Sequence, residues 1–174
     1  RPPFGRTPKS GHDMHREFRI QSALGPVFAL VPEMVGFCDD PAVIGSDFYV
    51  MAKVEGTILR RELPWDLSPD EASLLCEHAF DVLVDLHRVD VDAAGLADLG
   101  RGAGYVGRQV AGWTDRFGRA RTDDTGDWSD VTDWLAAHQP DDVGTCLIHN
   151  DFRFDNLVLD HEDPLRVVGV LDWE

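Results

Sequence analysis

A chain of 174 residues with 43% hydrophobic side chains, five tryptophans and nine phenylalanines has the apolar content for one domain or one and a half small lobes, which excludes a disordered polypeptide. No apolar run approaches the length that spans a bilayer and no secretory signal is present, so a cytoplasmic location and no membrane partner are expected, while a formal net charge of −16 without a basic stripe excludes a nucleic-acid partner. Cys38, Cys76 and Cys146 are odd in number and widely spaced, which argues against a disulfide framework or a zinc site and predicts buried thiols in a reducing compartment.

In chain order, residues 12–24 read as a helix with Met14, Phe18 and either Ala23 or Leu24 toward one side, Asp13 near its start and Gly25-Pro26 as its stop. An extended segment lies within 26–37, a turn at Asp39-Asp40-Pro41, and a strand over 48–54, rich in aromatic and β-branched residues. Ser68-Pro69-Asp70-Glu71 supplies an N-cap serine, a first-turn proline and a glutamate three residues after the cap; Leu74, Leu75, Ala79, Val82, Leu83 and Leu86 then follow at helical spacing to about His87. Residues 88–102 form a loop, 105–119 a helix with Val106, Val110, Trp113 and Phe117 along it, 122–126 a polar linker, and 128–138 a short helix stopped by Pro140. The glycines of 100–104 follow no strand and read as a flexible helix start rather than a phosphate cradle.

The last thirty residues carry the chemistry. A short strand over 146–149 delivers the loop His149-Asn150-Asp151-Phe152-Arg153-Phe154-Asp155-Asn156; apolar runs 156–159 and 166–171 then form a hairpin through 160–164 that returns Asp172 beside Asn156. Phosphoryl transfer to a hydroxyl is mostly positioning and charge neutralisation, needing a base for the acceptor and oxygen ligands for Mg²⁺. Asp151 suits the base, and Asn156 and Asp172 supply one neutral and one anionic oxygen for a hard cation that takes its remaining ligands from water and phosphate. Arg153 and Asp155 are expected to fix the loop by local bonds and an ion pair, and Trp173 to pack beneath it. The other histidines are scattered and take surface or packing roles.

With these residues in view, HNDFRFDNLVLD…VVGVLDWE resembles the aminoglycoside phosphotransferase-like kinases, and within them the subgroup related to the kinase-like domain fused to acyl-CoA dehydrogenases; RPPFG, HDMHREFRIQSAL, PEMVGFCDDPAVIGSDFYVMAKVEGTIL and DLHRVD agree in order and spacing. The resemblance implies an α+β, protein-kinase-like two-lobed fold, truncated at both ends, with residues 1–55 as a partial small, nucleotide-binding lobe and hinge and 56–174 as a partial large, catalytic lobe. It implies that Asp151 is the catalytic base, that Asn156 and Asp172 hold Mg²⁺, and that His149 braces the loop. Glu17 corresponds to the glutamate that pairs with a phosphate-binding lysine, and backbone groups of Ala52 to Val54 correspond to the adenine-binding hinge, after which Gly56 lets the chain turn. Arg1-Pro2-Pro3 falls near the end of the family's third strand, and Glu174 has either a metal-site or a supporting role.

The implied reaction is ATP- and Mg²⁺-dependent phosphorylation of a small-molecule hydroxyl, with a hydroxyacyl-CoA or related hydroxy acid as first acceptor, an aminoglycoside as second, and an acyl-CoA dehydrogenase as an associated partner. A nucleotide-binding kinase-like module without phosphotransfer is the reading from a different class. The acidity of the chain serves either a solvated surface or attraction of a cationic acceptor. An anionic acyl-CoA calls for local arginines, for which Arg60, Arg61, Arg101 and Arg108 are available.

Overall fold

Residues 13–61 and 63–173 are described by a computed structural model; Arg1-Pro2-Pro3, His12 and Glu174, considered above, lie outside them. The elements are α1 (Met14–Leu24), β1 (Met34–Cys38), α2 (Pro41–Ile44), β2 (Phe48–Met51), α3 (Pro69–His87), α4 (Tyr105–Ala120), α5 (Ser129–Ala137), β3 (Leu157–Leu159) and β4 (Val167–Val170). They fall into two units: the described residues through Ala97 together with Cys146 onward, and Asp98–Thr145.

In the first unit, the Asp13 side chain accepts from the Arg16 N–H at 2.9 Å and starts α1, which buries Glu17, Ile20, Gln21 and Leu24. This face packs on the antiparallel pair β1–β2, in which Phe37 lies opposite Tyr49 and Cys38 opposite Phe48. Phe37 also meets the ring of Phe18, with centroids 5.5 Å apart. The extended segment expected within 26–37 becomes a strand only at Met34, because the N–H groups of Val27 and Phe28 first fold back onto Leu24. At the other end β2 stops at Met51 rather than 54. After Ala52 N–H donates to Glu33 O at 2.8 Å, the opposing chain runs into Pro32, which has no N–H to continue the ladder. The expected turn at 39–41 is the start of α2, with the Asp40 carboxylate accepting from Ala42 N–H at 2.8 Å and Pro41 in its first turn.

Helix α3 begins with the reciprocal bonds its sequence specifies. Ser68 Oγ accepts from Glu71 N–H, and Glu71 Oε2 accepts from Ser68 N–H at 2.9 Å. Its buried residues are Leu75, Ala79 and Leu86, and His78 Nδ1 bonds Leu165 O at 2.8 Å, tying the helix to the loop between β3 and β4. Strands β3 and β4 pair antiparallel as expected, Leu157 opposite Val170 and Val158 opposite Gly169. Leu24, Leu86, Leu157, Val158, Leu159 and Val170 form the fully buried centre of this unit.

Two expectations need correction. Residues 146–149 form no strand: among the described residues no neighbour runs alongside to take their backbone groups, and Cys146 and Ile148 are exposed. β-propensity is a local property, whereas a ladder needs a second chain segment. The cysteines are not all buried either; Cys38 is half-buried while Cys76 and Cys146 are exposed. Cys76 shares α3 with its buried neighbour Leu75 but faces outward, as 100° per residue requires.

The second unit holds α4 and α5 at the expected places. Gly104, at φ 81°, caps α4 in the left-handed region, and its N–H donates to an Asp142 carboxylate oxygen. Trp113 carries the Arg116 guanidinium 4.7 Å above its ring, and Trp134 stacks on His138. Among the described residues no helix is long and apolar enough to cross a membrane.

Candidate active site

The loop from His149 to Asn156 is shaped by its own backbone. Asn150 takes φ 64°, Asp151 N–H returns to His149 O at 2.9 Å, and a single 3₁₀ turn over Phe154–Asn156 closes it, with Asn156 N–H on Arg153 O at 2.9 Å. Arg153 and Asp155 form the expected ion pair across that turn. Asp151 is exposed, while Asn156 is buried beneath it. The Asn156 amide donates twice from Nδ2, to Asp151 O at 2.9 Å and to Asp151 Oδ2 at 3.0 Å. One carboxylate oxygen of Asp151 is therefore oriented by a neutral donor, and the Asn156 carbonyl oxygen is turned away from Asp151.

The hairpin delivers the second acidic group to the same place. Leu171 N–H donates to Asn156 O at 2.8 Å, so Asp172 leaves the ladder one residue beyond that bond. It does so at φ 67°, a left-handed conformation that a non-glycine residue adopts at a cost of order 1 kcal/mol, and its side chain is exposed. What sustains that turn is the packing of its neighbour. Trp173 is buried, donates from Nε1 to Val170 O at 2.9 Å, and lies against Phe28 and His149 with ring centroids 6.1 and 4.8 Å away.

His149 closes the loop onto the hairpin: its Nε2 bonds Leu171 O at 2.9 Å and its ring meets the edge of Phe152. Burial holds this imidazole below its ordinary value of 6.5, against the opposing influence of the Leu171 carbonyl and the charges of Asp172 and Asp151. A carbonyl partner requires Nε2 to carry the proton, so the neutral ring is a donor there, and Nδ1 is buried without a hydrogen-bond partner.

Glu17 lies on the buried face of α1, and its Oε2 accepts from the Tyr49 hydroxyl at 2.9 Å. The Tyr49 phenol is pushed up to about 12, chiefly by burial, with the bond to Glu17 and the charges of Glu17 and Asp172 acting in the same direction against a hydrogen bond with Gln21. Ala52 and Val54 lie in the segment after β2. The Ala52 N–H is committed to Glu33 O. Val54 reaches over the hairpin so closely that a Cβ on Gly169 would come within 2.9 Å of its methyl group. Gly56 lies against the Leu159 carbonyl, where any side chain would collide, and Thr57 and Leu159 exchange N–H···O bonds of 2.7 and 2.8 Å.

All six residues singled out in the sequence thus lie in the first unit: Asp151, Asn156 and Asp172 around the loop and hairpin, Glu17 bonded to Tyr49 of β2, and Ala52 and Val54 in the segment after β2. Tyr49 was missed, because a tyrosine in a strand shows no local sign of a carboxylate partner 32 residues earlier. Among the described residues no group of three His, Cys, Asp or Glu is arranged to hold a metal. Asn156 and Asp172 instead offer the sparse hard-oxygen set that fits Mg²⁺ shared with a nucleotide, since that ion keeps several waters and takes phosphate oxygens. Arg108 bonds the carbonyls of Gly102 and Ala103 at the start of its own helix.

The chain is 39% identical over 175 residues to human acyl-CoA dehydrogenase family member 11, covering 100% of this chain and 22% of that protein. It is 35% identical over 172 residues to mouse acyl-CoA dehydrogenase family member 10, covering 99% of this chain and 16% of that protein. Among solved structures, macrolide 2'-phosphotransferase type I superposes with a TM-score of 0.65 at 19% identity over 92% of this chain and 53% of that one, so the α+β fold is of the kinase-like type found there. The match to the APH phosphotransferase enzyme family runs over residues 1–174, and the chain belongs to that family.

Proposed function

We propose that this chain carries the catalytic loop and metal ligands of an ATP- and Mg²⁺-dependent kinase acting on a small-molecule hydroxyl, with a hydroxyacyl-CoA or related hydroxy acid as the first acceptor class. The observation that carries this reading is the juxtaposition of an exposed Asp151 carboxylate, oriented at 3.0 Å by the Asn156 amide, with an exposed Asp172 one residue beyond the Asn156–Leu171 bond. Asp151 aligns the acceptor hydroxyl and takes its proton as the oxygen bonds to the γ-phosphorus of ATP, while the bond from that phosphorus to the β,γ-bridging oxygen breaks and ADP leaves. Asn156 and Asp172 would hold Mg²⁺, which when bound would neutralise phosphate charge. His149 and Trp173 keep the loop and the Asp172 turn in register. Residues 1–55 contribute to nucleotide binding and 56–174 to catalysis, with carbonyl and N–H groups of Ala52 to Val54 facing adenine.

The acceptor class is supported by the names of the relatives, which are acyl-CoA dehydrogenases several times longer than this chain; association with such a dehydrogenase is part of the proposal. The test uses the full-length protein with ATP, Mg²⁺ and a panel of hydroxyacyl-CoAs, hydroxy acids and aminoglycosides, following ADP release and phosphorylated product by mass spectrometry. Asp151→Asn is expected to lower kcat by roughly 10²- to 10⁴-fold while nucleotide affinity is retained. Asp172→Ala is expected to weaken nucleotide binding only when Mg²⁺ is present. Turnover by Asp151→Asn equal to the parent rejects the assigned base, and MgATP binding without turnover of any acceptor favours the non-catalytic module.

A further inference from the structure

A buried carboxylate must be met by donors, and Glu17 is 6% exposed on the inner face of α1. One donor is the Tyr49 hydroxyl at 2.9 Å. Tyr49 is held in β2 opposite Phe37, three residues before Ala52, so its ring is set by the strand that leads into the segment over β4. The phenol keeps its proton throughout the physiological range, since burial, against an opposing hydrogen bond with Gln21 and helped by the bond to Glu17, pushes it up to about 12. It can only act as the donor toward Glu17. The bond joins β2 to α1, and Glu17 corresponds by resemblance to the glutamate at the phosphate end of a kinase nucleotide site. A core tyrosine needing any partner for its hydroxyl is satisfied by a backbone carbonyl; this one is directed at an ionisable side chain on a different element.

We infer that Tyr49 is a positioning residue for the phosphate end of the nucleotide site, its hydroxyl holding the Glu17 carboxylate in place and thereby coupling α1 to the strand that leads into the adenine-binding segment. This inference rests on the kinase reading above. Tyr49 touches neither nucleotide nor acceptor and acts through Glu17. A residue that merely packs strand against helix would, when altered, disturb both ends of a bound nucleotide. A residue that orients Glu17 disturbs the triphosphate end alone.

The experiment compares Tyr49→Phe, Glu17→Gln and the double variant in the full-length protein. MgATP and adenosine affinities are measured by displacement of a fluorescent nucleotide, and folding is checked by thermal unfolding. Tyr49→Phe removes one oxygen atom, and is expected to weaken MgATP roughly tenfold, the size of one hydrogen bond to a charged group, while adenosine affinity stays at the parent value. The double variant is expected to be no weaker for MgATP than Glu17→Gln alone, because on this inference the hydroxyl reaches the triphosphate end through that carboxylate and not through its other partner, Gln21. Equal loss for adenosine and MgATP, no loss for either, or additive effects in the double variant overturns the inference while leaving the kinase reading intact. A parent protein that binds no MgATP overturns the kinase reading, and this inference with it.

Discussion

Replacing Asn156 by Asp tests whether the loop and hairpin meet around a cation, because the change is nearly isosteric and reverses the electrical sense of one contact. In the parent, Nδ2 donates to Asp151 O at 2.9 Å and to Asp151 Oδ2 at 3.0 Å. A carboxylate at that position donates neither bond and sets a second negative charge about 3 Å from the first. Losing the bond to a charged acceptor is worth roughly 1.5–3 kcal/mol and the carbonyl bond about 1 kcal/mol. The repulsion adds about 1.4 kcal/mol in bulk water and about 5.5 kcal/mol at an effective dielectric of 20, and the exposure of Asp151 favours the smaller figure. The two losses are not independent, so Asn156→Asp should destabilise the metal-free protein by roughly 2–4 kcal/mol, read from urea unfolding. On the proposed reading, in which Asp151, the new carboxylate and Asp172 face one cation, millimolar Mg²⁺ should then recover much of the deficit, whereas the parent should gain little from Mg²⁺ without nucleotide. A variant as stable as the parent, or a deficit that Mg²⁺ leaves unchanged, refutes the shared site.

The capping box of α3 should be pH-sensitive. The Ser68 hydroxyl, then the Ser68 N–H, hold Glu71 below its ordinary value of 4.5, so its stabilising contribution is complete above that pH and fades as pH falls through the lower folded value. The stability difference between the parent and Glu71→Gln should therefore shrink below pH 4.5 in unfolding titrations, and a pH-independent difference counts against the box. Gly169→Ala should cost about 1–3 kcal/mol, because the new Cβ lies 2.9 Å from the Val54 methyl and 3.4 Å from Val158, and on the proposed function it should weaken nucleotide binding by displacing the segment proposed to face adenine. Val54→Ala in the same protein should relieve part of that cost; strictly additive unfolding energies would show that the two residues do not meet as described.

The features legible in the sequence are those whose causes lie within a few residues. The start of α3 is written in Ser68, Pro69 and Glu71, whose bonds span three positions, and the hairpin is specified by two apolar runs around a turn. The spacing of His149, Asp151, Asn156 and Asp172 is likewise short-range: a loop, one 3₁₀ turn and a hairpin bring them together. Where one local signal has two uses, reading fails. Asp40-Pro41 marks both a turn and a helix start, and the second use prevailed.

Other outcomes had no local cause to read. Residues 146–149 have strand-forming side chains but no partner among the described residues, β2 ends where Pro32 interrupts its neighbour, and Cys76 faces outward because of where α3 packs. The Tyr49–Glu17 bond joins residues 32 apart, and the Trp173–Phe28 contact that supports the left-handed Asp172 joins residues far more distant. The sequence by itself determined which chemical groups are present and the order in which short-range geometry presents them. Only the tertiary structure decided which carboxylate meets which donor, because burial, pairing and the orientation of a helix against a sheet are set by segments that are remote along the chain.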